Sequence, residues 1–247
     1  MAGLDWLIAR PVAHRGLHDA SAGIIENTAG AVQAAIDAGF AIEVDLQLTA
    51  DGEAVVFHDE TLDRLTDGTG PLAARAAADL KAVAFKACAD RIQTLSELLD
   101  QVAGRAPLLI EIKGQGPNLG PLERRAAGLV SAYRGPAALM SFDTRSVALI
   151  RRLAPQIVRG IVAERFDDPA EWLGLSLRRR LMMRHLFPAL WCRPHFIAYH
   201  VKALPAAAPM ITRALGLPLL TWTVRTAADR ATAARWADQM IFEGFRP

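Results

Sequence analysis

The sequence predicts an α/β fold, a (β/α)8 TIM barrel, and three observations lead to this prediction. Short apolar runs rich in β-branched residues alternate with longer Ala-, Leu- and Arg-rich stretches of helical period, which is typical of parallel sheets with right-handed crossovers. Asp51-Gly52 is a hairpin turn signal, so the run after it is the returning arm of a short hairpin. Eight strand–helix units then remain in 247 residues, and about 250 residues is a usual size for such a barrel.

Nine runs are predicted strands, and the third of them is the hairpin arm. They are Pro11–His14, Ala41–Leu48, Ala54–His58, Leu108–Lys113, Ala137–Ser141, Val158–Ala163, Phe196–Val201, Leu217–Val224 and Gln239–Phe242. The stretch from Thr61 to Arg91 has no clear strand. We therefore expect it to form an excursion over the mouth of the barrel, after the second strand and its hairpin.

Helices are predicted between most of these strands. The first begins at Asn27 or Thr28 as N-cap, and a later one begins at Thr94 with a capping box to Glu97. A doubly wound sheet would show the same alternation, but the sequence has no Gly-x-Gly-x-x-Gly turn. The predicted helices are Thr28–Ala38, Leu95–Val102, Leu122–Tyr133, Thr144–Leu153, Trp172–His185, Ala207–Leu215 and Ala227–Trp236.

Composition limits the domain count and the class of protein. With 52% hydrophobic and 22% charged residues, the chain can bury a core, and we expect a single domain over residues 1–247 rather than two small ones. The balance of 28 Lys and Arg against 26 Asp and Glu argues against a nucleic-acid binder. Cys88 and Cys192 are expected to be free thiols. Neither a signal peptide nor a spanning run of ~18 apolar residues is evident, so we expect a cytoplasmic protein.

Three acidic residues lie on predicted strands. Glu43 and Asp45 are two residues apart, so both carboxylates project from one face of a strand, and Glu111 lies on a later strand. Inside a barrel an unpaired carboxylate costs several kcal/mol, so three of them need a counter-charge. A divalent cation, Mg²⁺ or Ca²⁺, suits an all-oxygen ligand set. A buried ion network with Arg and Lys side chains is the alternative.

Two histidines end the first strand and the hairpin. His14 and His58 could supply the general base and general acid of an in-line displacement, although a lone histidine at such a position is more often structural. Arg15 and Lys113 offer positive charge suited to phosphoryl oxygens. Together with a cation, these groups indicate phosphoryl chemistry rather than acyl transfer. The motifs of serine hydrolases, zincins, thioredoxins and P-loop proteins are absent from the sequence.

Four motifs make this sequence resemble the glycerophosphodiester phosphodiesterase family, whose barrels are similar to that of phosphatidylinositol-specific phospholipase C. They are AHRG (Ala13–Gly16), ENT (Glu26–Thr28), IEVDLQLTADGEAVVFHDETLDRLTDGTG (Ile42–Gly70) and LLIEIK (Leu108–Lys113). SFD (Ser141–Asp143) and TWTV (Thr221–Val224) fit more loosely.

The resemblance implies a role for each candidate residue. It implies that His14 and His58 are the catalytic pair and that Trp222 stands near the alcohol moiety, a core aromatic residue being the alternative for Trp222. The implied metal ligands are Glu43, Asp45 and Glu111, and the implied phosphate-binding residues are Arg15 and Lys113.

Three positions depart from the family pattern. Ile25 stands where proline usually precedes ENT, and Glu243 stands near the end of the last strand, where aspartate is commoner. His200 ends a strand and could add a polar group at the mouth of the pocket. These departures bear on the shape of the substrate rather than on the catalytic set.

The predicted function is metal-dependent hydrolysis of a small-molecule glycerophosphodiester to glycerol 3-phosphate and an alcohol. The alternatives are lysophospholipase D-type hydrolysis of a lipid-bearing diester and a non-catalytic phosphodiester-binding module. Residues 172–191 combine Leu, Met, Phe and Trp with four arginines, so a peripheral contact with an anionic membrane is an alternative to an ordinary outer helix. The head group, the choice of metal, the role of each histidine, a cyclic phosphate intermediate and the oligomeric state stay open.

Overall fold

The computed structural model describes residues 3–114, 116, 118–168, 172 and 174–247. Its nine strands are β1 (Val12–Ala13), β2 (Ala41–Leu48), β3 (Ala54–Val56), β4 (Leu108–Ile112), β5 (Ala137–Ser141), β6 (Val158–Ala163), β7 (Phe196–His200), β8 (Leu219–Val224) and β9 (Gln239–Phe242). Eight of them run parallel in the order β1-β9-β8-β7-β6-β5-β4-β2, and β1 pairs with β2 to close the ring. The predicted (β/α)8 barrel is confirmed.

The remaining strand is the returning arm of the predicted hairpin. β3 pairs antiparallel with the end of β2. The Gly52 N–H donates to the Thr49 carbonyl, and Gly52 has a φ of +83°, a conformation that glycine adopts without the steric cost of a Cβ. This turn reverses the chain directly after β2, so the hairpin lies beside the carboxyl end of a barrel strand.

Nine α-helices are seen in the described ranges, and most begin within a residue of the predicted position. The Thr28 side chain accepts from the Ala31 N–H and so caps the first helix, and Thr94 and Glu97 form the predicted capping box. The helices are α1 (Ala29–Asp37), α2 (Ala77–Ala82), α3 (Leu95–Val102), α4 (Pro121–Ala132), α5 (Thr144–Leu153), α6 (Leu177–Arg184), α7 (Ala189–Cys192), α8 (Ala207–Ala214) and α9 (Ala227–Trp236).

The prediction of one helix over Trp172–His185 is wrong in extent. The helix begins only at Leu177, because the Ser176 side chain caps it by accepting from the Arg179 N–H. It ends at Arg184, and Leu186 with a φ of +55° separates it from α7. The basic stretch 172–191 therefore contains two short helices, with Trp172 in a turn before them and Leu173 outside the described residues.

The barrel interior has an apolar floor beneath its carboxyl-end residues. Buried side chains from all eight barrel strands form one cluster, which includes Val12, Ala41, Leu109 and Leu220, and Leu7 from a short 3₁₀ helix joins it. Because side chains alternate along a strand, Glu43 shares the inner face with Ala41, and Glu111 shares it with Leu109. The floor thus leaves the acidic residues at the open, carboxyl end of the barrel.

The excursion after the hairpin has a small core of its own. Leu62, Leu72, Leu80 and Phe85 are buried together with Val55 of β3. In this stretch the structure has a 3₁₀ helix, the short helix α2 and isolated bridges rather than a strand, as the sequence predicts. Packing against the hairpin arm anchors the excursion beside the barrel mouth. Among the described helices, none has the length and apolar character needed to cross a bilayer.

Candidate active site

Three buried carboxylates converge at the carboxyl ends of β2 and β4. Parallel pairing in register sets Asp45 opposite Glu111, and Glu43 lies two residues before Asp45 on the same face. One oxygen of each carboxylate lies within 4.8 Å of an oxygen of the others. The predicted convergence of Glu43, Asp45 and Glu111 is therefore present in the structure.

Glu43 is the least compensated of the three. Its Oε2 accepts the Arg15 N–H at 2.9 Å, while its Oε1 is buried without a hydrogen-bond partner among the described residues. Burial, with Asp45 and Glu111 nearby, raises the pKa of Glu43. An orphaned, buried oxygen within an all-carboxylate cluster fits a hard divalent cation such as Mg²⁺ or Ca²⁺.

Asp45 is held by two cations. Lys113 Nζ lies 2.8 Å from Asp45 Oδ1 and 2.7 Å from Glu111 Oε1, and Arg15 Nε lies 3.3 Å from Asp45 Oδ2. Burial alone would raise the pKa of Asp45, but the two cations outweigh it and hold that pKa well below its usual range. Burial raises the pKa of Glu111 despite Lys113. Arg15 and Lys113 thus neutralise part of the acidic cluster through their ion pairs with Asp45 and Glu111. Glu43 is the carboxylate that this ion network leaves uncompensated.

Asn27 also holds Asp45, a role that the sequence analysis did not assign, since it gave Asn27 only as a candidate helix cap and as part of the ENT motif. Its Nδ2 donates to Asp45 Oδ2 at 2.9 Å, and its Oδ1 accepts the Asp45 N–H at 3.2 Å. Asn27 has a φ of +58°, which asparagine tolerates better than most residues. The available signal was an amide residue in the ENT motif directly before the true cap, Thr28.

His14 is fixed by Glu243, which follows the last barrel strand. His14 Nδ1 lies 2.6 Å from Glu243 Oε2, and Arg225 Nη2 lies 2.9 Å from the same oxygen. Burial alone would raise the pKa of Glu243, but His14 and Arg225 lower it to about 2. Glu243 is therefore an ionised acceptor, His14 Nδ1 carries the proton, and Nε2 faces Glu43 Oε2 at 3.9 Å. Burial lowers the pKa of His14 although Glu243 opposes this change.

His58 is fixed in a similar way by its neighbour in sequence. Its Nδ1 lies 2.8 Å from Asp59 Oδ1. Arg64, from the excursion, places Nη2 2.9 Å from the same Asp59 oxygen and 2.7 Å from Glu26 Oε1. Glu26 in turn binds Arg15 Nη1 at 2.7 Å. Arg64 therefore links the environments of His58 and Arg15, a connection that sequence spacing alone does not indicate.

A cavity of about 960 Å³ opens beside these residues. His58, Glu111 and Lys113 line it on the side of the acidic cluster, and Asp143, Arg145 and Arg179 supply further charge. Its apolar lining residues are Phe142, Trp172, Leu175 and Met183.

Trp222 and His200 lie outside the lining of this cavity. The Trp222 indole N–H donates to the Ala198 carbonyl at 3.1 Å, and its ring contacts Phe142 edge-on with centroids 5.3 Å apart. The His200 and Trp222 rings lie 4.9 Å apart. Trp222 thus contacts Phe142 of the cavity wall without lining the cavity itself. The residues His14, Arg15, Glu43 and Asp45 do not line it either, but the contacts described above connect them with Glu111, Lys113 and His58.

Both the sequence and the fold are similar to those of known proteins. A family model described as the glycerophosphoryl diester phosphodiesterase family matches residues 14–245. A glycerophosphodiester phosphodiesterase of Bacillus subtilis is 32% identical over 259 aligned residues, covering 95% of this chain and 83% of the relative. Another, from Caldanaerobacter subterraneus, is 33% identical over 162 residues. That match covers 61% of this chain and 65% of the relative, slightly less than two thirds of its length.

The fold has solved counterparts. The structure of an Oleispira antarctica phosphodiesterase in complex with the product sn-glycerol-3-phosphate superimposes with a TM-score of 0.77 at 21% identity, covering 94% of this chain and 91% of that one. A glycerophosphodiester phosphodiesterase from Thermotoga maritima gives a TM-score of 0.69 at 24% identity, with 94% of both chains covered. At these identities the similarity bears on the barrel fold, while the family match covers nearly the whole sequence. This chain belongs to the glycerophosphoryl diester phosphodiesterase family.

Proposed function

We propose that this protein hydrolyses glycerophosphodiesters to glycerol 3-phosphate and an alcohol, with a divalent metal and with His14 and His58 as the acid–base pair. The observation that carries the proposal is the orphaned, buried oxygen of Glu43 within a three-carboxylate cluster, beside two histidines whose Nδ1 atoms are each held by a carboxylate. The functional unit that we propose is a single domain of residues 1–247, supported by the family match over residues 14–245.

The metal ligands in this proposal are Glu43, Asp45 and Glu111, and Mg²⁺ and Ca²⁺ both suit their oxygen atoms. When bound, the ion would supply positive charge that polarises a phosphoryl oxygen. Arg15 and Lys113 already lie against Asp45, so they bring two further positive charges to the same place. We assign these two residues to binding the anionic phosphate.

The histidines transfer protons through Nε2, because the Nδ1 atoms face Glu243 and Asp59. One Nε2 accepts the proton of the nucleophile as the nucleophilic oxygen bonds to phosphorus. The nucleophile is water, or it is a substrate hydroxyl that forms a cyclic phosphate, which water then opens to glycerol 3-phosphate. The other donates a proton to the alcohol oxygen as its bond to phosphorus breaks. Burial lowers the pKa of His14 and so favours its neutral imidazole, the form that a general base requires.

One observation favours the lysophospholipase D-type reaction as a second candidate. The cavity beside Glu111 and Lys113 has an apolar wall of Phe142, Trp172, Leu175 and Met183. An apolar wall binds an alcohol that carries hydrocarbon better than it binds a small polar head group. In either reaction Trp222 would support the alcohol site by packing behind Phe142.

The test measures glycerol 3-phosphate release from glycerophosphocholine, and release of free choline from lysophosphatidylcholine, each with Mg²⁺, with Ca²⁺ and with EDTA. We expect metal-dependent turnover that is lost in His14→Ala and Glu43→Gln. Asp37→Asn, which neutralises an exposed carboxylate at the end of α1, serves as the matched control and should retain full turnover. Turnover of the lysolipid alone would favour the second candidate. Folded protein that turns over neither substrate would favour a non-catalytic binding module.

A further inference from the structure

Exposed apolar side chains are concentrated on one side of the barrel. In the described part of the chain, nine large apolar residues are exposed, and seven of them lie between residues 177 and 215. Four of the seven, Phe187, Leu190, Ile211 and Leu215, line a single groove of about 570 Å³ between α7 and α8. We call this groove the α7–α8 groove, and these four residues are its exposed apolar side chains. Leu190 and Leu215 are 77% and 72% exposed. Apolar side chains that are exposed together in one patch, unlike isolated ones, indicate an interaction surface.

The groove adjoins a basic cleft. A second cavity, of about 330 Å³, shares His185, Ala207 and Ala208 with the groove and is lined also by Arg165 and Arg184. Arg193 lies on the wall of the groove itself. These three arginines are exposed. The ion pairs described on this side of the molecule use Arg145, Arg179, Lys202 and Arg213 instead.

Basic residues predominate in the sequence that forms the groove, although Glu164 and Asp167 lie near Tyr199 in the cleft. From Trp172 to Ala228 the chain has no aspartate or glutamate and has eight lysines or arginines. Four of the eight pair with acidic residues outside this stretch, and Arg184 and Arg193 of the cleft and groove are not among those four. A two-fold contact between copies of the chain would place each patch against itself, so these positive charges would face one another. An anionic surface instead neutralises them while the groove buries its apolar side chains.

We propose that the α7–α8 groove and its basic cleft dock this protein on a membrane surface that carries anionic phospholipid. The cleft arginines bind phosphate groups, and the four groove side chains enter the boundary between head groups and acyl chains. This inference goes beyond the proposed reaction and is independent of it. It also differs from the expectation of one amphipathic helix over 172–191, because the groove takes Ile211 and Leu215 from α8.

The experiment is flotation of the full chain with vesicles of phosphatidylcholine alone and with vesicles of phosphatidylcholine and phosphatidylglycerol. We expect binding to the mixed vesicles, weakened by salt. Leu190→Ser/Leu215→Ser should weaken that binding on the order of tenfold or more, because two apolar side chains no longer enter the interface. Arg184→Gln/Arg193→Gln should weaken it by about tenfold or more, at roughly 1 kcal/mol for each basic residue near an anionic surface.

Ile8→Ser is the matched control, since Ile8 is an exposed apolar residue outside the groove, and it should bind like the unchanged protein. The variants should also keep the circular dichroism spectrum of the unchanged protein and its turnover of a water-soluble diester, and the flotation measurement requires no turnover. Absence of binding to mixed vesicles, or equal binding to both kinds of vesicle, would overturn the proposal. Self-association in ultracentrifugation that Leu190→Ser/Leu215→Ser abolishes would overturn it too, and would make the groove a contact between copies.

Discussion

The buried carboxylate of Glu43 should lower the stability of the folded protein when no metal is bound. Its folded-state pKa is raised above the ordinary value, mainly by burial. Protonated Glu43 therefore contributes to the free energy of unfolding. This contribution is complete below the ordinary pKa and is lost as pH rises through the raised pKa of the folded state. Near neutral pH, without metal, the charge on Glu43 costs stability.

We therefore expect Glu43→Gln to raise the melting temperature in EDTA by a few degrees, since about 1 kcal/mol moves a chain of this size by roughly 2–4 °C. The glutamine Oε1 can still accept the Arg15 N–H. Differential scanning calorimetry of the variant beside Asp37→Asn measures the effect. A lower melting temperature for Glu43→Gln would mean that the Glu43 charge is already compensated by the protein.

Glu243 positions His14, so its replacement should change both rate and pH dependence. In Glu243→Gln the hydrogen bond to Nδ1 can persist, but the charge that raises the pKa of His14 is gone. We expect kcat to fall about 10- to 100-fold and the acidic limb of the pH–rate profile to move to lower pH. A reduced kcat with an unmoved acidic limb would contradict the assignment of that limb to His14.

At the scale of residues, the features of the site that follow from strand alternation and from the order of the motifs could be predicted from the sequence. The common face of Glu43 and Asp45 follows from their spacing on β2. Asn27 and Arg64 were not predicted as parts of the site, because their contacts join residues 18 and 38 positions apart in the sequence. Those contacts depend on how the excursion and the α1 entry pack together, which local periodicity does not determine.

At the scale of elements, two glycines with opposite surroundings test the packing of the barrel. A Cβ on Gly160 of β6 would lie 2.3 Å from the Phe196 ring of β7, whereas one on Gly128 of α4 would meet nothing within 4 Å. Gly160→Ala should therefore destabilise the protein by about 1–3 kcal/mol. Gly128→Ala should stabilise it by up to about 1 kcal/mol through helix propensity. Chemical denaturation measures both, and equal effects of the two substitutions would contradict this account of the β6–β7 contact.

Element boundaries were predictable where a cap or a turn has a sequence signal. The capping box at Thr94 and the turn at Gly52 gave α3 and the hairpin correctly. The predicted helix Trp172–His185 starts too early, because the Ser176 cap that begins the helix at Leu177 was not recognised. Its end was predicted to within one residue, and Leu186, a residue with no intrinsic preference for positive φ, follows with a φ of +55°. Tertiary packing of Leu186, which is buried, outweighs its local preference there.

At the scale of the whole molecule, barrel closure depends on very little local sequence. β1 has only two residues, yet it pairs with both β2 and β9. The barrel was predictable from the count of strand–helix units rather than from this strand. The site depends on the same closure, because His14 follows β1 while its partner Glu243 follows β9, 229 positions away.

Metal binding should therefore be coupled to unfolding of the whole barrel, since the three carboxylates are brought together only in the folded chain. An ion at about 100 times its Kd stabilises the folded state by roughly 2.7 kcal/mol, so we expect saturating Mg²⁺ or Ca²⁺ to raise the melting temperature by about 5–10 °C.

This increase in melting temperature should shrink as pH falls, because the raised pKa of Glu43 lets protons compete with the ion at a higher pH than for an ordinary carboxylate. Calorimetric scans across pH, with and without metal, measure this coupling. Glu43→Gln should lose most of the increase, whereas Asp37→Asn should keep it. An increase that is independent of pH, or one that survives in Glu43→Gln, would place the ion away from the β2–β4 carboxylates.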